Sequence, residues 1–213
     1  AIGFFQSEEE INDPNTPLHS FAKVQPGDIR YKDQDGNGII DENDVISLGN
    51  SELPELNYGI NLELTYKGFD FNAFFFGQAR RNIMLTSNQY AYAFYNNGQL
   101  PKMAEGRWAY YPDQNIDTRS NASYPRLTTT DNQNNYRYSS FWMKDASFLR
   151  LRNIELGYPL PRTITDKMRI SGARIYVSGT NILTFTPLDD YDTQVMTGYP
   201  LTKSYNMGIN LQF

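Results

Sequence analysis

The residues best placed for chemistry lie between Asp33 and Asp44, reading Asp33-Gln34-Asp35-Gly36-Asn37-Gly38-Ile39-Ile40-Asp41-Glu42-Asn43-Asp44. Counted from Asp33, side-chain oxygens recur at the first, third, fifth and ninth places (Asp33, Asp35, Asn37, Asp41), glycine takes the sixth, and Asp44 closes the twelfth. This is the ligand spacing of a calcium loop, in which the seventh residue, here Ile39, gives its backbone carbonyl. The expected ligands of one structural Ca²⁺ are therefore Asp33, Asp35, Asn37, Ile39, Asp41 and Asp44. Asp44 stands where such loops usually carry Glu, so bidentate closure needs a closer approach. Gly27 to Tyr31 reads as extended chain, so the loop is expected without the helices of an EF-hand. A polar Asx/glycine turn holding no ion is the alternative.

Little else in the sequence points to a reaction. Cysteine is absent, which removes disulfides and thiolate metal sites. The one histidine, His19, leaves no Ser-His-Asp arrangement, and a lone His in a polar loop is expected to be solvated. No paired carboxylates stand out, so no catalytic residues are assigned and the chain is not expected to be an enzyme. A net charge of -5 without a basic run argues against a nucleic-acid partner.

The elements that must position the loop are strands. From Ser204 to Phe213, Tyr205, Met207, Ile209, Leu211 and Phe213 alternate without exception with Asn206, Gly208, Asn210 and Gln212. That is a strand with one apolar and one polar face, and its length of roughly ten residues suits an outer-membrane barrel. A strand of a soluble sandwich would read the same way. Residues 58–66 and 69–78 form a hairpin around Lys67-Gly68. Residues 147–158 contain a fault in their period: Leu149 and Leu151 share one parity, while Ile154, Leu156 and Tyr158 share the other. A bulge near Asn153 would repair the phase and leave Arg150 and Arg152 on the polar side. Residues 173–181 complete the set.

Residues 1–56 read as a loop region in which Glu8 to Glu10 could open a short helical turn. Residues 57–213 read as the strands, with long connections at 79–146 and 182–203. The first of these is dotted with Tyr90, Tyr92, Phe94, Tyr95, Trp108, Tyr110 and Tyr111, which could stack on sugar rings or pack on one another. Gln89 to Tyr95 could form a helical turn. The connections alternate short and long, as barrel strands with short periplasmic turns and long extracellular loops do. A mean hydropathy of -0.60 does not exclude such a barrel, because its strands are half polar. Five strands cannot close one, since the smallest barrels need about eight. With Ala1 in place of an initiator Met, the chain is expected to be part of something longer.

Several blocks then stand in a familiar order: Phe4-Phe5-Gln6-Ser7, Pro26 to Asp33, the Asp/Gly loop, Tyr124-Pro125-Arg126-Leu127, Phe148 to Asn153 and Gly179 to Thr184, before a C-terminal Phe213. Together they resemble the C-terminal part of the SusC/RagA family of TonB-dependent outer-membrane transporters. The resemblance implies an all-β fold: the last strands of a 22-stranded antiparallel transmembrane barrel with long extracellular loops. It also implies a plug and TonB contact upstream, a SusD-like surface lipoprotein as partner, pairing of transporter–lipoprotein units into a dimer, and import of oligosaccharides or peptides. Lipid would surround the barrel, the C-terminus would be periplasmic, and Phe213 would serve as an assembly signal. Substrate-binding residues do not carry over, because the loops are the least family-like part. A soluble, calcium-stabilised all-β carbohydrate-binding module is the second reading.

Overall fold

The computed structural model describes every residue except 86–90, 95–97, 189–190 and 196–198. The chain divides into two units, residues 1–49 with 84–144 and residues 50–83 with 145–213.

The second unit is built on one five-stranded antiparallel sheet: β1 (Leu56–Tyr66), β2 (Phe69–Ala79), β3 (Phe148–Pro159), β4 (Gly172–Phe185) and β5 (Ser204–Gln212). Spatial order follows chain order, with β1 and β5 as the edges. Lys67 and Gly68 both take positive φ, 48° and 86°. This is the left-handed pair that a two-residue hairpin needs to match strand twist. Register places this turn, the 160–171 connection and the end of β5 at one end of the sheet, because Tyr66 pairs with Phe69, Pro159 with Arg174 and Gly172 with Gln212. The long connections, 80–147 and 186–203, leave from the other end.

The period fault in β3 is a bulge. Against β2, Leu151 pairs with Phe75 and Asn153 with Phe74, so Arg152 is the extra residue. Against β4, Leu151 pairs with Leu183 and Asn153 with Thr180, which leaves Asn181 and Ile182 opposite Arg152. Asn181 takes φ 53° there. Alternation resumes beyond the bulge, so β4 runs on to Phe185 rather than ending at 181, and the following loop starts at 186. The break at Asn181-Ile182 is what hides this extension in the sequence.

With the bulge in place the two faces are continuous. Leu62, Leu64, Phe71, Leu156, Ile175, Val177, Met207 and Ile209 meet across the five strands on one side. They do not bury one another: most are around half exposed, and Met207 is 85% exposed. Phe69 and Tyr158 pack at 4.7 Å on this side near the hairpin turn. The opposite side carries Glu63, Asp70, Asn72, Glu155, Arg174, Ser178 and Asn210. There Arg174 donates to Asp70 and, at 2.6 Å, to Glu155.

The first unit is held by short pieces around aromatic side chains. Ser7 caps the helical turn Glu8–Ile11 by accepting from the Glu10 N–H. Gly3–Phe4 pairs antiparallel with Ile29–Arg30, and Leu18–His19 pairs parallel with Ile39–Ile40. Trp142 is fully buried, with Phe141 and Tyr92 edge-on at 4.7 Å, while Tyr92 and Tyr136 stack at 4.1 Å. Tyr92, Trp108 and Tyr124 are therefore core residues of this unit, whereas Tyr110 and Tyr111 are exposed. Of the expected Gln89–Tyr95 helical turn, Gln89, Tyr90 and Tyr95 lie outside the described residues, and Ala91 to Phe94 form a turn without helix.

Candidate functional site

The Asp33–Asp44 loop folds through its own side chains before any ligand is considered. Asp33 accepts from the N–H groups of Gly36 (2.7 Å) and Gly38 (2.8 Å), Asp35 from Asn37 (3.0 Å), and Asn37 Oδ1 from Ile39 (2.7 Å). Gly36 and Gly38 sit at φ 77° and 82° in open space, so the backbone conformation alone selects glycine. Asp44 ties the two ends together, accepting from the N–H groups of Gln34 (2.6 Å) and Asp41 (2.8 Å). Backbone donors, Gly38 foremost, hold the Asp33 carboxyl below its ordinary range, so it is charged at neutral pH.

Three of the expected ligands converge. Asp33, Asp35 and Asp44 each offer a carboxylate oxygen, all within 4.8 Å of one another. Calcium takes oxygens at about 2.3–2.6 Å, so ligands around one ion can lie up to about 5 Å apart, and the cluster fits it. Asp41 is used differently: its carboxylate accepts from Asn43 and caps the 3₁₀ turn Glu42–Asp44. Asn37 bends the loop through its hydrogen bond to Ile39. Ile40, next in the chain, is 3% exposed and fixes the loop to the first unit's core through the pairing with Leu18–His19.

His19, expected to be solvated, is buried. Its Nδ1 lies 2.7 Å from Asn134 Oδ1. The Asn134 amide donates to the Ile29 carbonyl (2.8 Å) and to Asn135 Oδ1 (3.2 Å), which fixes its oxygen toward His19 and makes Nδ1–H the donor. Rings of Phe5, Phe21 and Tyr31 surround the imidazole at 5.5–5.6 Å. Burial is the main cause that pulls its pKa down, and burial also pushes the Tyr31 phenol up to about 12.

Beside His19 is a polar centre that sequence reasoning did not single out. Asp28, 1% exposed, accepts from Arg126 Nε (2.7 Å), Asn135 (2.8 Å), Asn132 (3.1 Å) and the Gln25 N–H (2.8 Å). Asn135 Oδ1 then accepts the Ile29 N–H at 2.8 Å, and the Asn135 carbonyl accepts Trp142 Nε1 at 2.6 Å. The network joins Pro26–Tyr31 to Tyr124–Leu127 and to 132–135, so two of the ordered sequence blocks meet here. Spacings near 100 residues leave no local signal for it.

A scan against protein-family models finds no match. Among curated proteins, the chain is 29% identical over 205 residues to "TonB-dependent receptor P3" of Formosa agariphila, covering 88% of this chain and 19% of that protein. It is 25% identical over 195 residues to "TonB-dependent receptor SusC" of Bacteroides thetaiotaomicron, covering 89% and 18%. Among solved structures, the RagAB peptide transporter superposes with a TM-score of 0.62 at 25% identity, over 88% of this chain and 20% of that one. The RagAB importer in its "closed-closed" state gives 0.63 over 99% and 22%, a likeness of fold at 23% identity. The chain thus spans about a fifth of the length of the proteins it matches. In sequence and in its antiparallel β-fold, the chain is similar to about a fifth of TonB-dependent receptors of the SusC/RagA type.

Proposed function

We propose that the chain forms part of the wall and outer loops of an outer-membrane barrel that imports oligosaccharides or peptides. The observation that carries this reading is the two-faced sheet of the second unit. Its apolar side is left about half exposed, while its other side carries Glu63, Asp70, Asn72, Glu155, Arg174 and Asn210 beside Phe74, Phe76 and Tyr176. Facing lipid outward and a wet lumen inward satisfies both sides at once. The end bearing the long connections is extracellular in this reading, and the end bearing the hairpin turn and Phe213 is periplasmic. The partners are a SusD-like lipoprotein over the outer loops and TonB acting through the rest of the transporter, with transporter–lipoprotein pairs dimerising. No residue of this chain is assigned to substrate, and none to catalysis.

Calcium is the proposed cofactor, held by Asp33, Asp35 and Asp44 with Asn37, the Ile39 carbonyl and Asp41 completing the set. Its role is structural, since the loop lacks helices that could open. At extracellular calcium levels even a site of about 10⁻⁴–10⁻³ M would fill. Phe213, at the periplasmic edge of β5, is the proposed assembly signal. The soluble-module reading is weakened by the aromatics: Tyr92, Trp108 and Tyr124 are buried in the first unit instead of presented to a sugar.

The experiment is expression of the full-length transporter and fractionation of the membranes. The protein should stay in the outer-membrane fraction through alkaline extraction and require detergent for release. Removal of Phe213 should lower that pool far more than Gln212→Ala does. Release into plain buffer would overturn the membrane reading, and equal pools for the two variants would remove the role given to Phe213.

A further inference from the structure

Arg150, on the polar side of β3, is 3% exposed, and nearly all its partners come from one stretch of the loop after β4. Its Nε donates to Thr184 Oγ1 at 2.9 Å, Nη1 to Gln194 Oε1 at 2.9 Å and Nη2 to Thr193 Oγ1 at 3.1 Å. Both Asp192 oxygens lie 3.5 Å from Nη2. Arg81, just past β2, holds the same stretch from the other side. Its Nη1 donates to the Thr193 carbonyl at 2.6 Å, and its Nε to the Glu52 carbonyl at 2.8 Å. Asp192 braces the loop internally, accepting from the N–H groups of Gln194 (2.8 Å), Val195 (3.1 Å) and Leu201 (3.2 Å). At the loop's start Thr186 donates to the Ser147 carbonyl at 2.9 Å, and Leu188 is buried beside it.

A buried guanidinium is tolerable only when its donors are met, and here the loop meets them. The dependence runs both ways. Thr193 is fully buried although it is a polar residue in a loop, and the contacts that account for this are the two arginines. A surface loop free to sample solvent would not enclose a cation in this way.

We infer that Arg150 is a positioning residue that holds residues 192–194 as a strap against the polar face, at the end where the long connections leave the sheet. The inference rests on the barrel reading for its consequence: if that face lines the lumen, the strap sets the free width of the passage beside β3. A substrate travelling along this wall then meets Asp192 and Gln194 before it meets the strands.

The test uses the full-length transporter in outer membranes, with Leu188→Cys labelled by a membrane-impermeant maleimide. With Arg150 present, labelling should be slow. Arg150→Met should raise the rate at least about tenfold, the scale expected from losing several charge-assisted hydrogen bonds. Arg150→Lys, which keeps the charge but fewer donors, should give a smaller rise. Heat-modifiable mobility on gels should be unchanged in each, which separates release of the strap from loss of the barrel. Equal labelling of parent and Arg150→Met with that mobility retained would overturn the strap. If Arg150→Met loses it, Asp192→Asn against the parent decides by the same readout. A Met207→Cys control tests the barrel reading separately: rapid labelling there overturns the lipid-facing assignment, while the Leu188→Cys comparison still decides the strap.

Discussion

Asp28 accepts from four donors in three segments of the first unit, and among the described residues none of those donors is bonded to another buried carboxylate. Asp28→Asn would set an amide N–H against N–H groups, so the cost should approach that of breaking a buried ion pair, about 3–5 kcal/mol. Limited proteolysis within residues 1–49 should accelerate strongly in this variant. Partial recovery is expected when Arg126→Met removes the stranded cation as well. Protection equal to that of the parent would show the network to be dispensable. His19 gives a pH dependence whose sign follows from burial. Because the folded pKa is lowered, the native unit binds fewer protons than the unfolded chain. Its contribution is fully present above the unfolded value of about 6.5 and is lost as pH falls from there through the lowered folded value. Protection of residues 1–49 should thus weaken between pH 7 and pH 5 in the parent, and less in His19→Gln. Neither residue was readable in advance. A lone histidine and one aspartate among many acquire their roles from partners about 100 residues away, and residue type alone cannot carry that.

At the scale of elements the sequence is much more legible, because period-two alternation is imposed locally by the pleat and needs no distant partner. All five strands of the sheet, the Lys67-Gly68 turn and the bulge in β3 follow from it. What it missed, the run of β4 to Phe185, was hidden by the bulge residues Asn181 and Ile182, where alternation lapses. The bulge also gives a sharp prediction. Removing Arg152 would leave Leu151 opposite Phe75 and Asn153 opposite Phe74 with both faces kept. One residue inserted between Glu155 and Leu156, beyond the bulge, instead turns one half of β3 over, which moves Glu155 to the apolar side or Leu156 and Tyr158 to the polar one. The insertion should nearly abolish the outer-membrane pool of the full-length protein, whereas Arg152→Ala, which keeps the register, should leave most of it. Similar pools for both would mean that the register is not set here. The turn of the Asp33–Asp44 loop follows from a local rule of the same kind, spacing within twelve residues, and the calcium proposed for it has its own test. Asp33→Ala with Asp35→Ala removes two of the three converging carboxylates, so bound calcium should drop by one per chain and cleavage within residues 27–50 should rise to the level seen with chelator. Unchanged metal content would leave an ordinary Asx turn, whose hydrogen bonds are already sufficient to shape it.

For the molecule as a whole, the decisive feature is that the second unit does not cover what it exposes. β1 and β5 are edge strands of 11 and 9 residues, each presenting an unpaired row of backbone groups. On the apolar side, Leu64, Tyr66, Tyr205, Met207 and Ile209 remain more than 60% exposed, although a soluble sheet of this size would bury such a face against a second layer. Lipid can satisfy the face and neighbouring strands can satisfy the edges, and both come only with the rest of a barrel. The 213-residue chain expressed by itself should therefore fail to give a monodisperse, cooperatively melting monomer in plain buffer. Refolded into detergent, it should lack the heat-modifiable mobility of a closed barrel, because detergent covers the face but leaves both edges open. The same residues within the full-length transporter should show that mobility and resist protease across β1 to β5. Size-exclusion profiles and gel mobility of the two preparations check this directly. A stable monomer of the isolated chain in plain buffer would mean that something other than lipid covers Met207 and its neighbours, and the membrane assignment would fall with it.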